Sequence, residues 1–455
     1  MEMVLEFLRD VLSQPALLIG IMSCIGLIAL KRPFHKIMTG TLKPILGYLM
    51  LAAGAGVIVS NLDPLGKMIE HGFHITGVVP NNEAIVAVAQ KVLGVETMSI
   101  LVVGLLMNLC IARFTKFKYV FLTGHHSLFM ACLMSAVLGT AGLSGMELIL
   151  VGGFLMGAWS AISPAIGQSY TSKVTDGDEI AIGHFGSLGY YLSAWVAKYV
   201  GKTEDSTEDI EIPEKWGFLR DSTLSTALTM IVFYLIAAFA AGSEFVATLS
   251  GDMSPYLYAV MSAMNFAVGV TIVYSGVRMI LGDLIPAFQG IATKIIPNAI
   301  PAVDCAVFFT YAPTAVVLGF LSSFIGGIIG MLILGAVGGV LIIPGLVPHF
   351  FCGATAGIYG NATGGRRGAA VGAFLNGLAI TFLPALALPV LGQLGFQNTT
   401  FGDADFAVMG LVLGNAYEWV GMAGIYGIVA IAALVLIIPN FIKTKGKVIN
   451  YEEED

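Results

Sequence analysis

Apolar runs of about 20 residues recur along the whole chain, punctuated by short polar or proline-broken stretches. As helices, such runs are long enough to cross a hydrocarbon layer about 30 Å thick. The pattern predicts eleven spans, at residues 16–31, 44–62, 97–115, 119–140, 143–165, 224–248, 256–281, 311–330, 334–348, 369–392 and 420–441. Residues 1–14 (MEMVLEFLRDVLSQ) read as an interfacial amphipathic helix ahead of the first span. The boundary between the eighth and ninth spans is soft, because residues 312–348 carry no charge and many glycines.

Two segments do not fit this scheme. Residues 66–96 and 283–310 are moderately apolar but broken by Pro80, or by Pro286, Pro297 and Pro301, and they carry Asn, Glu, Asp or Lys. Broken backbone at membrane depth survives only inside protein or along a watery cavity. Both are therefore expected to be re-entrant hairpins. They also align: GVIVSNLDPL starts at Gly56 and GVRMILGDLIP at Gly276, each placing an aspartate seven residues on, Asp63 and Asp283. The same offset of 220 residues brings Glu83 to within one residue of Asp304, and His125 to within four of His349. Two halves of five spans plus a hairpin would be inverted with respect to each other. That is a transporter architecture. The expected fold is all-α and polytopic, with about 11 transmembrane helices in two inverted five-helix repeats.

Composition agrees. The 455 residues are 57% hydrophobic and 11% charged, with a mean hydropathy of +0.87, whereas an ordinary soluble domain is about a quarter charged. The net charge of −7 comes mostly from one loop and the tail, and no nucleic-acid partner is expected. Lys and Arg gather in alternate loops, at 31–43, 113–118, 166–222, 366–367 and 443–447, and are missing from 141–146, 249–256 and 393–407. The positive-inside rule then puts the N-terminus outside, with the C-terminus and the long 166–222 loop in the cytoplasm. No leader pattern precedes the first span, so no cleaved signal is expected. The five cysteines are scattered through apolar segments without metal-ligand spacing, and predict no disulfide, metal or other cofactor.

Ionisable groups within spans are expensive and usually face a cavity or a partner. Those left for chemistry are Asn82, Glu83, His125, His126, His184 and Asp304. Each also has a structural reading: a histidine bonded to a carbonyl, or a carboxylate capping a helix. Recurrence of acids and imidazoles at matched places in both halves favours the functional reading, since together they can grip a polyhydroxylated ligand. Asn361-Ala-Thr363 fits a glycosylation sequon, and Gly364-Gly365-Arg366-Arg367-Gly368 reads mainly as a basic pair setting topology. The acidic EDSTEDIEIPE stretch at 204–214 reads as a solvated loop. No Walker motif or Gly-x-Ser-x-Gly is present, so energy must come from an ion gradient or from another protein.

LTGHH (122–126), VTDGDEIAIGH (174–184), IPNAIPAVDCAVFFTYAPTAVVLGF (296–320) and LIIPGLVPHFF (341–351) together resemble the membrane component, enzyme IIC, of the ascorbate-type bacterial phosphotransferase system in the ascorbate/galactitol superfamily. The resemblance runs over nearly the full length. It implies a homodimer in the bacterial inner membrane, surrounded by lipid. It implies a scaffold from 1–62 and 223–282, and a substrate-holding core from 63–222 and 283–392 that moves like an elevator. Residues 393–455 would supply the last span and a cytoplasmic tail. The sugar would be phosphorylated by a separate phosphocysteine-bearing IIB protein, itself charged by IIA, because only 14 residues follow the last predicted span. The chain itself would carry no catalytic residue. By position, the family's ligand contacts fall on Asn82, Glu83, His125, His126, Ser127, Leu128, Phe129, His184, Phe185 and Asp304. Among these, Glu83 stands where the family has an aromatic residue, His126 an aliphatic one, and Phe129 and Phe185 glutamines. The implied substrate is L-ascorbate or a related small polyhydroxylated molecule. The competing reading is an ion-coupled secondary transporter using Glu83 and Asp304.

Overall fold

A computed structural model describes residue 11 and residues 14–74, 77–80, 82–177, 179–210, 222–392 and 399–441. The predicted N-terminal interfacial helix lies almost wholly outside these. The described chain is mostly helical: α1 Pro15–Ala29, α2 Phe34–Gly72, α3 Asn82–Phe114, α4 Gly124–Thr140, α5 Gly145–Thr175, α6 Ser187–Val200, α7 Ser222–Ala241, α8 Ser243–Ser250, α9 Pro255–Lys294, α10 Pro313–Ala336, α11 Leu346–Gly392, α12 Ala404–Val420 and α13 Met422–Phe441. A 3₁₀ turn covers Cys305–Thr310. Pro15, Pro255 and Pro313 open α1, α9 and α10 in the first turn, where a missing N–H leaves no bond unmade.

Five very short strands join the helices: β1 Val79–Pro80, β2 Tyr119–Phe121, β3 Ala181–Ile182, β4 Ile300–Val303 and β5 Thr399–Thr400. β4 is the centre of a parallel three-stranded layer, with Val120 beside Pro301 and Ala181 beside Ala302. β1 pairs in parallel with β5, Val79 opposite Thr399.

Among the described residues, seven helices are long and apolar enough to cross a membrane, or eight if α7 and α8, bent by 117°, count as one. The predicted span at 334–348 is not helical throughout. After Ala336 residues 337–345 leave the helix, with Gly338 at φ +71°, and Ile342 bridges to Val78. The glycine run and Pro344 end the helix despite the unbroken hydrophobicity. The predicted 369–392 span is instead the second part of α11, which begins at Leu346 and breaks at Gly364–Gly365.

The expected hairpins at 66–96 and 283–310 are not hairpins in the described residues. α2 runs straight through Pro44 and Pro64 to Gly72, and α9 runs through Pro286 to Lys294. At 1.5 Å per residue these helices of 39 and 40 residues are about 60 Å long and overshoot a bilayer core. Their ends looked like separate elements only because polar residues mark the overshoot. Proline is tolerated inside membrane helices because neighbouring groups satisfy the freed carbonyl. The 166–222 stretch is not a plain loop either: α5 continues to Thr175, the chain turns at Asp176 (φ +54°), and β3 leads into α6. The stretch 393–407, expected to be an outer loop, contains β5 and the start of α12; residues 393–398 lie outside those described.

Packing falls into two groups. α1, α2, α7, α8 and α9 contact one another, with α2 against α9 as the main seam. That seam is closed by glycines. A Cβ on Gly47 would come 2.8 Å from the Gly276 carbonyl, and one on Gly54 would come 2.7 Å from that of Gly269. The second group joins α3 with α4 and α5, and α11 with α6, α10 and α12, while α13 packs on α5 and α12.

The acidic 204–210 segment is largely exposed, as expected of a solvated loop, and is also pinned at a few points. The Glu208 carboxylate accepts from the Thr314 and Ala315 amides at 3.1 Å, capping α10. Asn361, 7% exposed and inside α11, ties down Ser206 and Thr207. It is therefore no glycosylation acceptor. Arg366 donates its amide to the Asp205 carbonyl at 2.8 Å, and its guanidinium lies 3.8 Å from the Asp205 carboxylate. Residues 211–214 lie outside the described residues.

Candidate functional site

The polar side chains of the bundle collect where several helices begin. β2 delivers the start of α4 with His125 and His126, β3 delivers His184 and the start of α6, and β4 delivers Asp304 at the N-cap of the 3₁₀ turn. Asp403 is the N-cap of α12, and Asn82 opens α3. The parallel pairing of the three strands brings all three deliveries to one end of the layer. Helix starts carry unpaired amides and a positive partial charge, which offsets the carboxylates gathered there.

His125 sits between two partners. Its Nε2 lies 3.4 Å from Asp304 Oδ2, and its Nδ1 lies 3.3 Å from the Tyr48 hydroxyl. The Asp304 Oδ1 atom accepts from the Ala306 amide at 3.1 Å. His125 remains 37% exposed at its side chain, whereas Asp304 is nearly enclosed.

His184 lies deeper. Its Nδ1 accepts from the Gly186 amide at 3.1 Å and lies 2.8 Å from the Tyr190 hydroxyl. Beyond Tyr190 is Cys352, whose thiol donates to Asp403 Oδ1 at 2.8 Å. Asn82 closes the far side: its Nδ2 donates to Asp403 Oδ2 at 2.5 Å, and its Oδ1 accepts from the Gly402 amide at 2.9 Å. His184 thus stands between two carboxylates, Asp304 and Asp403.

The remaining predicted residues support this row. His126 is 3% exposed, accepts from the Phe185 amide at 3.3 Å, and holds its ring 3.8 Å from that of His184. Phe129 packs on His125, His126 and Phe406. Phe185 is fully buried and stacks on Phe121 at 4.6 Å. Ser127 bonds the Thr123 carbonyl within its own helix, and Leu128 packs in the apolar cluster around α4 and α5. Glu83 falls in α3, but its side chain lies outside the described residues. His349 is not part of the row; it is buried and bonded to Ser323 at 2.9 Å. Asp63 and Asp283 pair instead with Lys67 and Lys43.

Sequence reasoning missed Tyr48, Tyr190, Cys352, Asp403 and Asp405. Asp405 is fully buried and clasps two helix starts. Its carboxylate accepts from the Ser187 hydroxyl (2.8 Å), the Leu188 amide (2.9 Å) and the Trp159 indole (3.3 Å), while its amide donates to the Phe185 carbonyl. The 220-residue offset held the clue, since His184 maps onto residue 404, between the two aspartates.

Among the described residues there are two sets of potential metal donors, His184–Cys352–Asp403 and His184–Asp304–Cys305, each with its ligand atoms within 4.8 Å of one another. In the first set the thiol already donates to Asp403, and His184 Nδ1 already has two neighbours. His184 and Asp403 are thus linked through Tyr190 and Cys352 by the protein's own groups. Chemically the arrangement offers carboxylate and imidazole acceptors and an imidazole N–H in a nearly dry setting. That suits hydroxyl groups, each of which both donates and accepts.

Among curated proteins, one similar chain is described as the ascorbate-specific PTS system EIIC component of Mycoplasma pneumoniae, strain ATCC 29342 / M129 / Subtype 1. It is 28% identical over 417 residues, covering 78% of this chain. The chain spans about 62% of that relative's length. A family model described as EIIC-GAT, PTS system sugar-specific permease component, matches residues 10–405, and the chain belongs to that family of sugar permeases.

Proposed function

We propose that the chain holds a small polyhydroxylated substrate, L-ascorbate or a related sugar or polyol, and carries it across the bacterial inner membrane for phosphorylation by a separate IIB protein that is recharged by IIA. The observation that carries this reading is the row Asp304–His125 and His184–Asp403–Asn82, set where helix starts converge inside an apolar bundle. Carboxylates on both sides of His184 accept hydroxyl protons well and meet a second negative charge badly. Among the candidates the row therefore favours an uncharged polyol over an ascorbate anion.

The two packing groups support an elevator mechanism. α1, α2 and α7–α9 would be the static scaffold and dimer-forming part, and the other helices the moving carrier. The inverted-repeat reading draws support from element order. Shifted by 220 residues, α2 overlays α9, α3 overlays the 3₁₀ turn and α10, α4 and α5 overlay the two parts of α11, and α6 overlays α12. The re-entrant pieces of such repeats would then be 176–200 and 399–420, whose tips carry His184 and Asp403.

The test is uptake in membrane vesicles with the soluble phosphocarriers and phosphoenolpyruvate. Accumulation of phosphorylated polyol that stops when IIB is left out is the expected result. Free sugar driven by an ion gradient would instead establish the secondary-transporter reading, with Glu83 and Asp304 as its ion site.

Orientation has its own test. With the N-terminus outside, a cysteine placed at exposed Glu204 is expected to react only with reagents that cross the membrane. Labelling by a reagent confined to the exterior would invert the topology.

A further inference from the structure

We infer that Tyr48 is a positioning residue for transport: its hydroxyl tethers the empty carrier to the scaffold through His125, and a bound substrate takes its place. The inference rests on the scaffold-and-carrier reading proposed above.

Tyr48 lies on α2 and is 6% exposed. Its own turn of helix is fixed to α9: Gly47 faces the Gly276 carbonyl, and a Cβ on Gly276 would meet the Leu51 backbone at 2.6 Å. The Tyr48 backbone therefore cannot follow α4 if α4 moves. Among the described residues, Tyr48–His125 is the one side-chain hydrogen bond seen between the group α1, α2, α7–α9 and the rest. The other contacts at this boundary are apolar, such as Phe266 on Phe350 and Phe233 on Phe324. Apolar faces slide with little directional penalty. A hydrogen bond has to break.

The chemistry of His125 makes that break depend on occupancy. A neutral imidazole has two bonding positions, one donor and one acceptor. An ionised Asp304 can only accept, so Nε2 carries the proton and Nδ1 accepts from the Tyr48 hydroxyl. Both positions are filled. A ligand hydroxyl that displaced Asp304 from His125 would orphan a nearly buried carboxylate. One that displaced Tyr48 leaves the His125–Asp304 pair intact and frees only a phenol. The second exchange is the less costly, and it releases the carrier from the scaffold. Without ligand the bond re-forms, which sets the resting position to which the empty carrier returns.

Tyr48→Phe keeps the ring and removes only the hydroxyl. The experiment places spin labels at exposed Leu46 on α2 and Met146 on α5, with Cys24 and Cys110 replaced by alanine, and measures their distance distribution without ligand. Wild-type protein is expected to give one population, and Tyr48→Phe a broadened or split one. Binding of two probes, xylitol and L-ascorbate, is measured alongside. Whichever probe binds is expected to bind Tyr48→Phe about 3- to 10-fold more tightly, the range spanned by one net hydrogen bond. An unchanged ligand-free distribution overturns the tether. Weaker binding by the variant also overturns it, because Tyr48 would then be an ordinary substrate contact. If neither probe binds wild-type protein, the substrate proposal fails, and the ligand-free distances still decide the tether.

Discussion

Asp304→Asn is expected to lower affinity for the transported polyol about 100-fold while leaving the fold intact. The two carboxylate oxygens do different work. Oδ1 caps the 3₁₀ turn through the Ala306 amide, and an asparagine carbonyl can keep that bond. Oδ2 faces His125 Nε2, where an asparagine would present N–H against N–H. The substrate loses an ionised acceptor, and His125 loses the partner that fixes its orientation. Hydrogen bonds to charged groups are worth about 1.5–3 kcal/mol each, so a loss of about 3 kcal/mol, or two decades, is expected. His125→Ala should act in the same direction, since it removes the other half of the pair. Calorimetric titration of both variants, with unfolding midpoints as a control, measures this. Near-native affinity in both would move binding to the Asp403 end of the row.

Asp405→Ala should fail in a different way, through stability. Three donors converge on this carboxylate from two elements, Trp159 on α5, and Ser187 and Leu188 at the start of α6, while Asp405 itself lies on α12. Alanine leaves all three buried and unpaired, at about 1 kcal/mol or more each, and opens a void beside them. A loss of about 3 kcal/mol or more is expected, read as a fall of roughly 5 °C or more in the unfolding midpoint in detergent. Asp405→Asn should lose less, since its carbonyl still accepts from two donors. If alanine melts with wild type, water reaches the site and the clasp is not holding the helix starts together. The contrast between the two aspartates separates a group that meets the substrate from one that holds those groups in place.

The helical, membrane-crossing character of the chain was legible in its sequence because hydrophobicity dominates any segment that meets lipid. Boundaries were less so. Proline and acid residues marked helix ends that run past the bilayer core at 66–72 and 283–294, and these resembled hairpins. The glycines after Leu334 end a helix without any change in hydropathy. The start of the short helix α12 falls in the expected outer loop 393–407 because it is polar, and this hides Asp403 and Asp405. His125, His184 and Asp304 stood out because ionisable groups in apolar runs are rare. Tyr48 did not: a tyrosine in an apolar helix is unremarkable in sequence, and only the packing of α2 against α9 turns its hydroxyl toward a histidine.

The pairing of β1 with β5 bears on how the protein is made. Asn82 finds its partner Asp403 321 residues later, and β2 waits for β4 across nearly half the chain. Contacts this distant in sequence close last, after local helices have formed. On a ribosome adding about 5–20 residues per second, the first half spends many seconds with Asn82 still without Asp403 and His125 still without Asp304. The residues proposed to hold substrate hydroxyl groups thus lack part of their final partners in the nascent chain. Asn82 gains its carboxylate partner, and β1 its strand partner, only once residues 399–405 have arrived.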